Sequence, residues 1–133
     1  MFPEQIHQIL KEKLNFTTED IDKLAKFHDL LLENNKSYNF ISKSTEKDIW
    51  HRHIYDSAQL VKFIDFKDEF SLSDLGTGAG FPGIVLAIFN KNPKFHVKLY
   101  EKSRVKTKFL ISICDKLKIK ANIYEDDYRT HNI

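Results

Sequence analysis

The first 65 residues repeat apolar side chains at the three- and four-residue spacing of amphipathic helices. The spacing predicts a short helix that ends near Asn15, a second from Thr17 or Thr18 to about Glu33, and a third region from Thr45 to about residue 64. We expect no strand before residue 71. The third region is expected to face the core through Ile49, His53, Ser57, Leu60 and Ile64.

The pattern changes near residue 70. Residues 71–75 predict a short strand that runs directly into glycines, and residues 95–100 alternate apolar and polar side chains as a strand does. Helical patterns fill residues 82–89 and 105–117, and a weaker third strand is predicted at residues 121–125. Strands that alternate with helices indicate an α/β fold with a parallel sheet, here in the order 3-2-1. We therefore divide the chain into a helical cap, residues 1–68, and a sheet domain, residues 69–133.

The composition restricts the class of protein but does not indicate a function. An apolar share of 41% with 30% charged residues is ordinary for a globular protein. Cys114 is the single cysteine, and the longest apolar stretch is too short to span a bilayer. No signal peptide is visible at the start, so we expect a cytoplasmic protein. Residues 1–70 have a net charge of −3 and residues 71–133 a net charge of +5, which suits a polyanion but also arises from lysine-rich helix surfaces.

The segment DLGTGAGFPG at residues 74–83 carries the candidate chemistry. A strand that ends in glycines and turns into a helix brings bare backbone close to a ligand. Two patterns fit. Gly78, Gly80 and Gly83 form the G-x-G-x-x-G string of dinucleotide-binding folds. Asp74 followed by Gly76, Gly78 and Gly80 is the form found in methyltransferases.

Asp74 favours the second pattern. A carboxylate at the strand end suits the cationic amino group of S-adenosylmethionine and would repel a pyrophosphate. The dinucleotide pattern also expects an apolar strand directly before its first glycine, whereas residues 75–77 are Leu-Gly-Thr. Glu101, at the end of the second predicted strand, suits ribose hydroxyls in either fold and does not discriminate.

Several further segments resemble one family, the RsmG/GidB 16S rRNA (guanine-N7) methyltransferases of the small-subunit decoding region. The resemblance lies in residues 38–42 (YNFIS), 52–57 (RHIYDS) and 74–83, including its Phe-Pro-Gly ending, and continues through residues 99–110 and 122–129. It implies a Rossmann-like class I S-adenosylmethionine-dependent methyltransferase fold with a partial parallel sheet and an N-terminal helical cap. It also implies methylation of a guanine N7 in 16S rRNA or the small ribosomal subunit.

The resemblance also assigns residues. With Asp74 from the argument above, it implies a cofactor site made of Asp74, Gly76, Gly78, Gly80, Phe81, Glu101, Thr130 and His131, although the last two depart from the family's usual side chains. Arg52 and His53 are candidates for RNA contact. In the alternative, His53 belongs to the apolar stripe and Arg52 pairs with Asp56 on a helix surface. We name no catalytic residue and expect no metal, because His51 and His53 lie on opposite helix faces.

Family members continue well past residue 133, so we expect weak cofactor binding and no methyl transfer by residues 1–133 alone. A non-catalytic RNA- or ribosome-binding remnant stays open. The G-x-G-x-x-G string leaves a dinucleotide-dependent oxidoreductase fragment as a weaker alternative, which Asp74 and the lack of a second mononucleotide-binding half disfavour. The sequence does not indicate the oligomeric state.

Overall fold

In the computed structural model, residues 1–126 and Arg129 are described. The chain begins with two helices, α1 (Pro3–Leu14) and α2 (Thr18–Asn35). Asn15 ends α1 in the left-handed conformation, with φ of 63°. Thr17 starts α2 through a capping box, because its Oγ1 accepts a hydrogen bond from the Asp20 amide and the Thr17 amide donates to the Asp20 carboxylate, both at 3.0 Å. Both helices match the predicted positions.

The third helical region is irregular. It contains a 3₁₀ stretch (Lys43–Asp48), a π-helical turn (Trp50–Tyr55), one turn of α-helix, α3 (Asp56–Ala58), and a second 3₁₀ stretch (Gln59–Phe63). The predicted stripe is therefore wrong in part. Leu60 is 40% exposed, and His53 is only half-buried. A π turn has a wider hydrogen-bond spacing than an α-helix and shifts later residues around the axis. The side chains buried instead are Ile54, Ala58 and Val61.

The second half forms a three-stranded parallel sheet. Strand β1 (Ser71–Leu75) leads to α4 (Gly83–Phe89), β2 (His96–Glu101) to α5 (Arg104–Leu117), and β3 (Asn122–Glu125) follows. The order is β1-β2-β3, so the predicted sheet order is confirmed. Helix α4 starts one residue later than expected, because Pro82 is its N-cap rather than its first residue.

One hydrophobic core joins the helices to the sheet. Helix α2 packs against both α4 and α5, and Phe27 and Leu31 of α2 are buried together with Ile84 of α4 and Leu110 of α5. This packing holds the loop that leaves β1 between the helical region and the sheet. No helix among the described residues is long and apolar enough to cross a membrane.

Candidate functional site

The glycine loop, residues 76–82, leaves β1 and turns into α4. Its glycines have positive φ angles: 73° at Gly76, 60° at Gly78 and 107° at Gly80. The amides of Gly76 and Thr77 both donate to the Tyr100 carbonyl, at 2.9 and 3.0 Å, which fixes the start of the loop to β2. A Cβ built on Gly76 or Gly78 meets no atom within 4 Å and points into open space. These two positions therefore present bare backbone to any ligand that approaches the loop.

The remaining two glycines serve packing. A Cβ at Gly80 would lie 2.6 Å from Cγ1 of Ile84 and 3.0 Å from Cδ2 of Leu110. A Cβ at Gly83 would overlap Leu99 and lie 2.8 Å from Oδ2 of Asp74. Glycine at position 83 lets α4 approach the sheet closely, and glycine at position 80 leaves room for the side chains of α4 and α5. Gly80 thus belongs to the predicted loop, but its Cα faces the protein interior.

Asp74 connects the end of β1 to the start of α4. Its Oδ2 accepts hydrogen bonds from Thr77 Oγ1 at 2.6 Å and from the Gly83 amide at 2.9 Å. Burial raises the pKa of Asp74 above its ordinary value, and the two hydrogen bonds oppose that shift in part. Oδ1 forms no hydrogen bond to the described part of the chain. Thr77, which is 2% exposed, is a partner that the sequence did not reveal.

Glu101 performs a similar role at the end of β2. Its side chain is buried, with Oε1 accepting from the Gly78 amide at 3.0 Å and Oε2 accepting from the Ser103 amide at 2.7 Å. Ser103 is the N-cap of α5, and its Oγ accepts from the Lys106 amide at 3.3 Å. Each carboxylate oxygen of Glu101 has a second lone pair. Two carboxylates therefore meet the glycine loop at the carboxyl ends of adjacent parallel strands, where open α/β sheets bind ligands.

Comparison with known families matches residues 20–131 to GidB, described as rRNA small subunit methyltransferase G. The chain belongs to the GidB family. Relatives named ribosomal RNA small subunit methyltransferase G are 37% identical over 125 residues in Pelagibacter ubique, 37% over 124 in Orientia tsutsugamushi and 35% over 131 in Bartonella tribocorum. These alignments cover 91%, 92% and 95% of this chain and 58%, 60% and 61% of the relatives. The predicted family and its Rossmann-like methyltransferase fold are confirmed.

In this GidB chain Phe81 joins the glycine loop to the helices. Its ring packs against Phe27 of α2, with centroids 5.3 Å apart, and stacks on His53 at 5.0 Å. His53 Nε2 is hydrogen bonded to Thr45 Oγ1 at 3.0 Å. Burial lowers the pKa of His53 below its ordinary value, although the Asp56 charge opposes this shift in part, and the lowered pKa favours the neutral imidazole at pH 7. The structure thus places His53 against the glycine loop.

Other predicted residues lie apart from this cluster or outside the described chain. Arg52 and Asp56 are exposed, and these two described residues form no ion pair with each other. Thr130 and His131 lie outside the described residues. Among residues 1–126 and Arg129, no group of three His, Cys, Asp or Glu side chains is placed to hold a metal ion.

Proposed function

We propose that this GidB chain binds S-adenosylmethionine at the glycine loop and that the protein methylates a guanine N7 in 16S rRNA. The observation that carries the proposal is the pair of open glycines, Gly76 and Gly78, between the carboxylates of Asp74 and Glu101. Since the chain spans about 60% of the relatives' length, the reaction and its substrate are proposed for the whole protein.

The side chains present fit the charges and hydroxyls of this cofactor. Asp74 retains Oδ1 for the cationic amino group, while its Oδ2 holds Thr77 and Gly83. Glu101 can accept ribose hydroxyls through the second lone pairs of its oxygens without losing its amide partners. Gly78 lets the ligand lie directly on backbone, because no Cβ fills that space. Phe81 extends the same surface toward the helices.

The contact between Asp74 and α4 argues against a dinucleotide at this loop. In dinucleotide-binding folds the amides that begin this helix bind a pyrophosphate. Here the Gly83 amide already donates to the Asp74 carboxylate at 2.9 Å. A phosphate in that place would face a carboxylate and lose its donor.

The chemistry explains why no general base is assigned. Guanine N7 has a free lone pair and no proton, so its methylation requires no proton transfer to a side chain. When bound, the cofactor supplies an electrophilic methyl group on a sulfonium. Alignment of the acceptor nitrogen with that methyl group is the main contribution the protein makes. Glu101 and the glycine loop would orient the donor, and Arg52 and His53 remain candidates for contact with the RNA.

Calorimetric titration of the chain with S-adenosylmethionine, S-adenosylhomocysteine and NAD tests the proposal. We expect saturable heats with both sulfur cofactors and none with NAD. Binding of NAD alone would support the oxidoreductase alternative and refute the cofactor assignment. Absence of heat with all three, in a sample with native circular dichroism, would show that the loop does not bind a nucleotide cofactor. Transfer of labelled methyl groups by the whole protein to undermethylated small subunits, with guanine N7 identified by chemical cleavage, tests the substrate. Residues 1–133 alone should transfer no methyl group.

A further inference from the structure

A groove lies between the end of α2, the segment that follows it and the outer face of α5. It encloses about 330 Å³, which lies in the range of about 300–1,000 Å³ typical of small-molecule pockets. None of the described residues that line it is acidic. We define the α2–α5 groove by six of its lining residues, Asn34, Tyr38, Phe40, Val105, Lys108 and Lys116.

Tyr38 forms an aromatic platform in this groove. It is 49% exposed, although its ring stacks on Phe40 with centroids 5.5 Å apart and planes inclined by 15°. Phe40 is buried and packs in turn against Phe109 of α5, at 4.8 Å. The Phe40 backbone is also fixed, because its amide donates to Asn35 Oδ1 at 2.8 Å. One face of the Tyr38 ring is therefore supported by the core, and the opposite face is accessible.

The basic side chains of the groove are available to a ligand. Lys108 and Lys116 are exposed and two turns apart on α5. Neither forms an ion pair within the described part of the chain. Asp115 is the only acidic residue of α5, which also carries Arg104 and Lys106. On the α2 side, Glu33 is paired with Lys36 at 3.1 Å, so the groove has a positive field.

The groove begins close to the candidate cofactor site. Val105 lies in the first turn of α5, and the N-cap of that helix, Ser103, donates its amide to Glu101. A helical turn rises about 5.4 Å, so the near end of the groove lies within that distance of the start of α5 along the helix axis. A polymer that follows α5 toward its N-terminus therefore approaches the ends of the strands.

We infer that the α2–α5 groove binds single-stranded RNA, with an unstacked base on Tyr38 and backbone phosphates at Lys108 and Lys116. The inference deepens the proposed function, since it identifies where the chain holds its RNA substrate. Sequence-tolerant binding of single strands combines these two elements, aromatic faces for bases and cationic side chains for phosphates. A duplex offers no free base face to Tyr38, so single strands or loops are the preferred ligand.

Fluorescence anisotropy with a short labelled single-stranded RNA, repeated at several salt concentrations, tests both elements separately. Tyr38→Ala should weaken binding about fivefold or more because base stacking is lost, with the salt dependence unchanged, and Tyr38→Phe should bind as the wild type does. The double variant Lys108→Gln/Lys116→Gln should lower the slope of log K against log salt by about 1.4, or about 0.7 for each phosphate contact.

The matched control is Lys13→Gln/Lys120→Gln, which removes two exposed lysines outside the groove. An equal change of slope in the control would show that RNA binds a diffuse positive surface, and unchanged affinity in Tyr38→Ala would remove the stacking role. Tighter binding of duplex RNA would also overturn the inference. Calorimetry with S-adenosylmethionine on the same variants distinguishes the two proposals. If the groove variants bind both S-adenosylmethionine and RNA as the wild type does, the RNA-binding role of the groove is refuted and the proposed cofactor site is not.

Discussion

The glycines of the loop provide the sharpest test of the site, because two of them are required for different physical reasons. Gly78→Ala places a methyl group in open space, with no atom within 4 Å. Gly80→Ala places one 2.6 Å from Ile84 and 3.0 Å from Leu110. Gly78→Ala should therefore weaken ligand binding, whereas Gly80→Ala should lower the stability of the fold.

The magnitudes follow from backbone strain and packing. Alanine in the left-handed region costs about 1–2 kcal/mol, offset by about 0.4–1 kcal/mol from the stiffer unfolded chain. Gly78→Ala should therefore lower the free energy of unfolding by about 1 kcal/mol. Gly80→Ala adds an overpacking cost of about 1–3 kcal/mol to the strain of its φ of 107°, for a total of about 3 kcal/mol. For a chain of 133 residues these values correspond to Tm decreases of about 4 °C and 11 °C.

Urea titration and calorimetry on the same samples check this prediction. Gly78→Ala should weaken S-adenosylmethionine binding about tenfold or more, a loss of about 1.4 kcal/mol, while most stability remains. Gly80→Ala should show the larger loss of stability. The reasoning is refuted if Gly78→Ala binds the cofactor as tightly as the wild type, or if the two variants lose equal stability.

Two further predictions concern charged groups. Lys91 Nζ donates at 2.6 Å to the nearly buried Asp20 carboxylate and at 2.9 Å to the Ile88 carbonyl. Lys91→Met should therefore lower the free energy of unfolding, measured by urea titration, by about 1–2 kcal/mol. Lys36→Met, at an exposed pair, should change it by less than about 0.5 kcal/mol, and equal losses would contradict the argument. Asp74→Asn keeps an oxygen for both hydrogen bonds but removes the charge, so cofactor binding should weaken about tenfold while stability at pH 7 is retained or increased. Burial raises the pKa of Asp74 in the folded protein. The wild type should therefore lose stability as the pH rises from the ordinary pKa to the raised one, whereas the Asn variant should not. Parallel pH profiles of stability for the two proteins would contradict this prediction.

The sheet could be predicted because its signals are local. Residues 71–75 run into glycines, and the alternation after residue 95 has a period of two, so β1 has the predicted bounds and β2 lies within one residue of them. The third helical region could not be predicted in detail. The π turn at Trp50–Tyr55 depends on tertiary packing, because the buried Trp50 ring lies against His7 of α1 and His28 of α2. Helical spacing alone assumes 3.6 residues per turn.

The site shows the same division. The position of the loop could be predicted, because glycines between a strand and a helix indicate a backbone that needs positive φ angles or a close approach. The hydrogen bonds of the loop could not be predicted from the sequence, because they join residues that are distant along the chain. Asp74 and Gly83 are nine residues apart, and Gly78 and Glu101 are 23 apart. The interior orientation of Gly80 likewise could not be predicted, because it depends on how α4 and α5 pack in the folded structure.

These contacts give the two carboxylates a second role that bears on how a cofactor would bind. Glu101 already holds the loop through the Gly78 amide at 3.0 Å and the start of α5 through Ser103 at 2.7 Å. A ligand hydroxyl that shares an oxygen of Glu101 preserves both bonds, whereas one that replaces the Gly78 amide leaves a backbone donor unpaired beside the ligand, at a cost of about 1–3 kcal/mol. Sharing is therefore the lower-energy arrangement. The loop is held in its open-glycine geometry before any ligand arrives, and binding does not have to supply the free energy of ordering it.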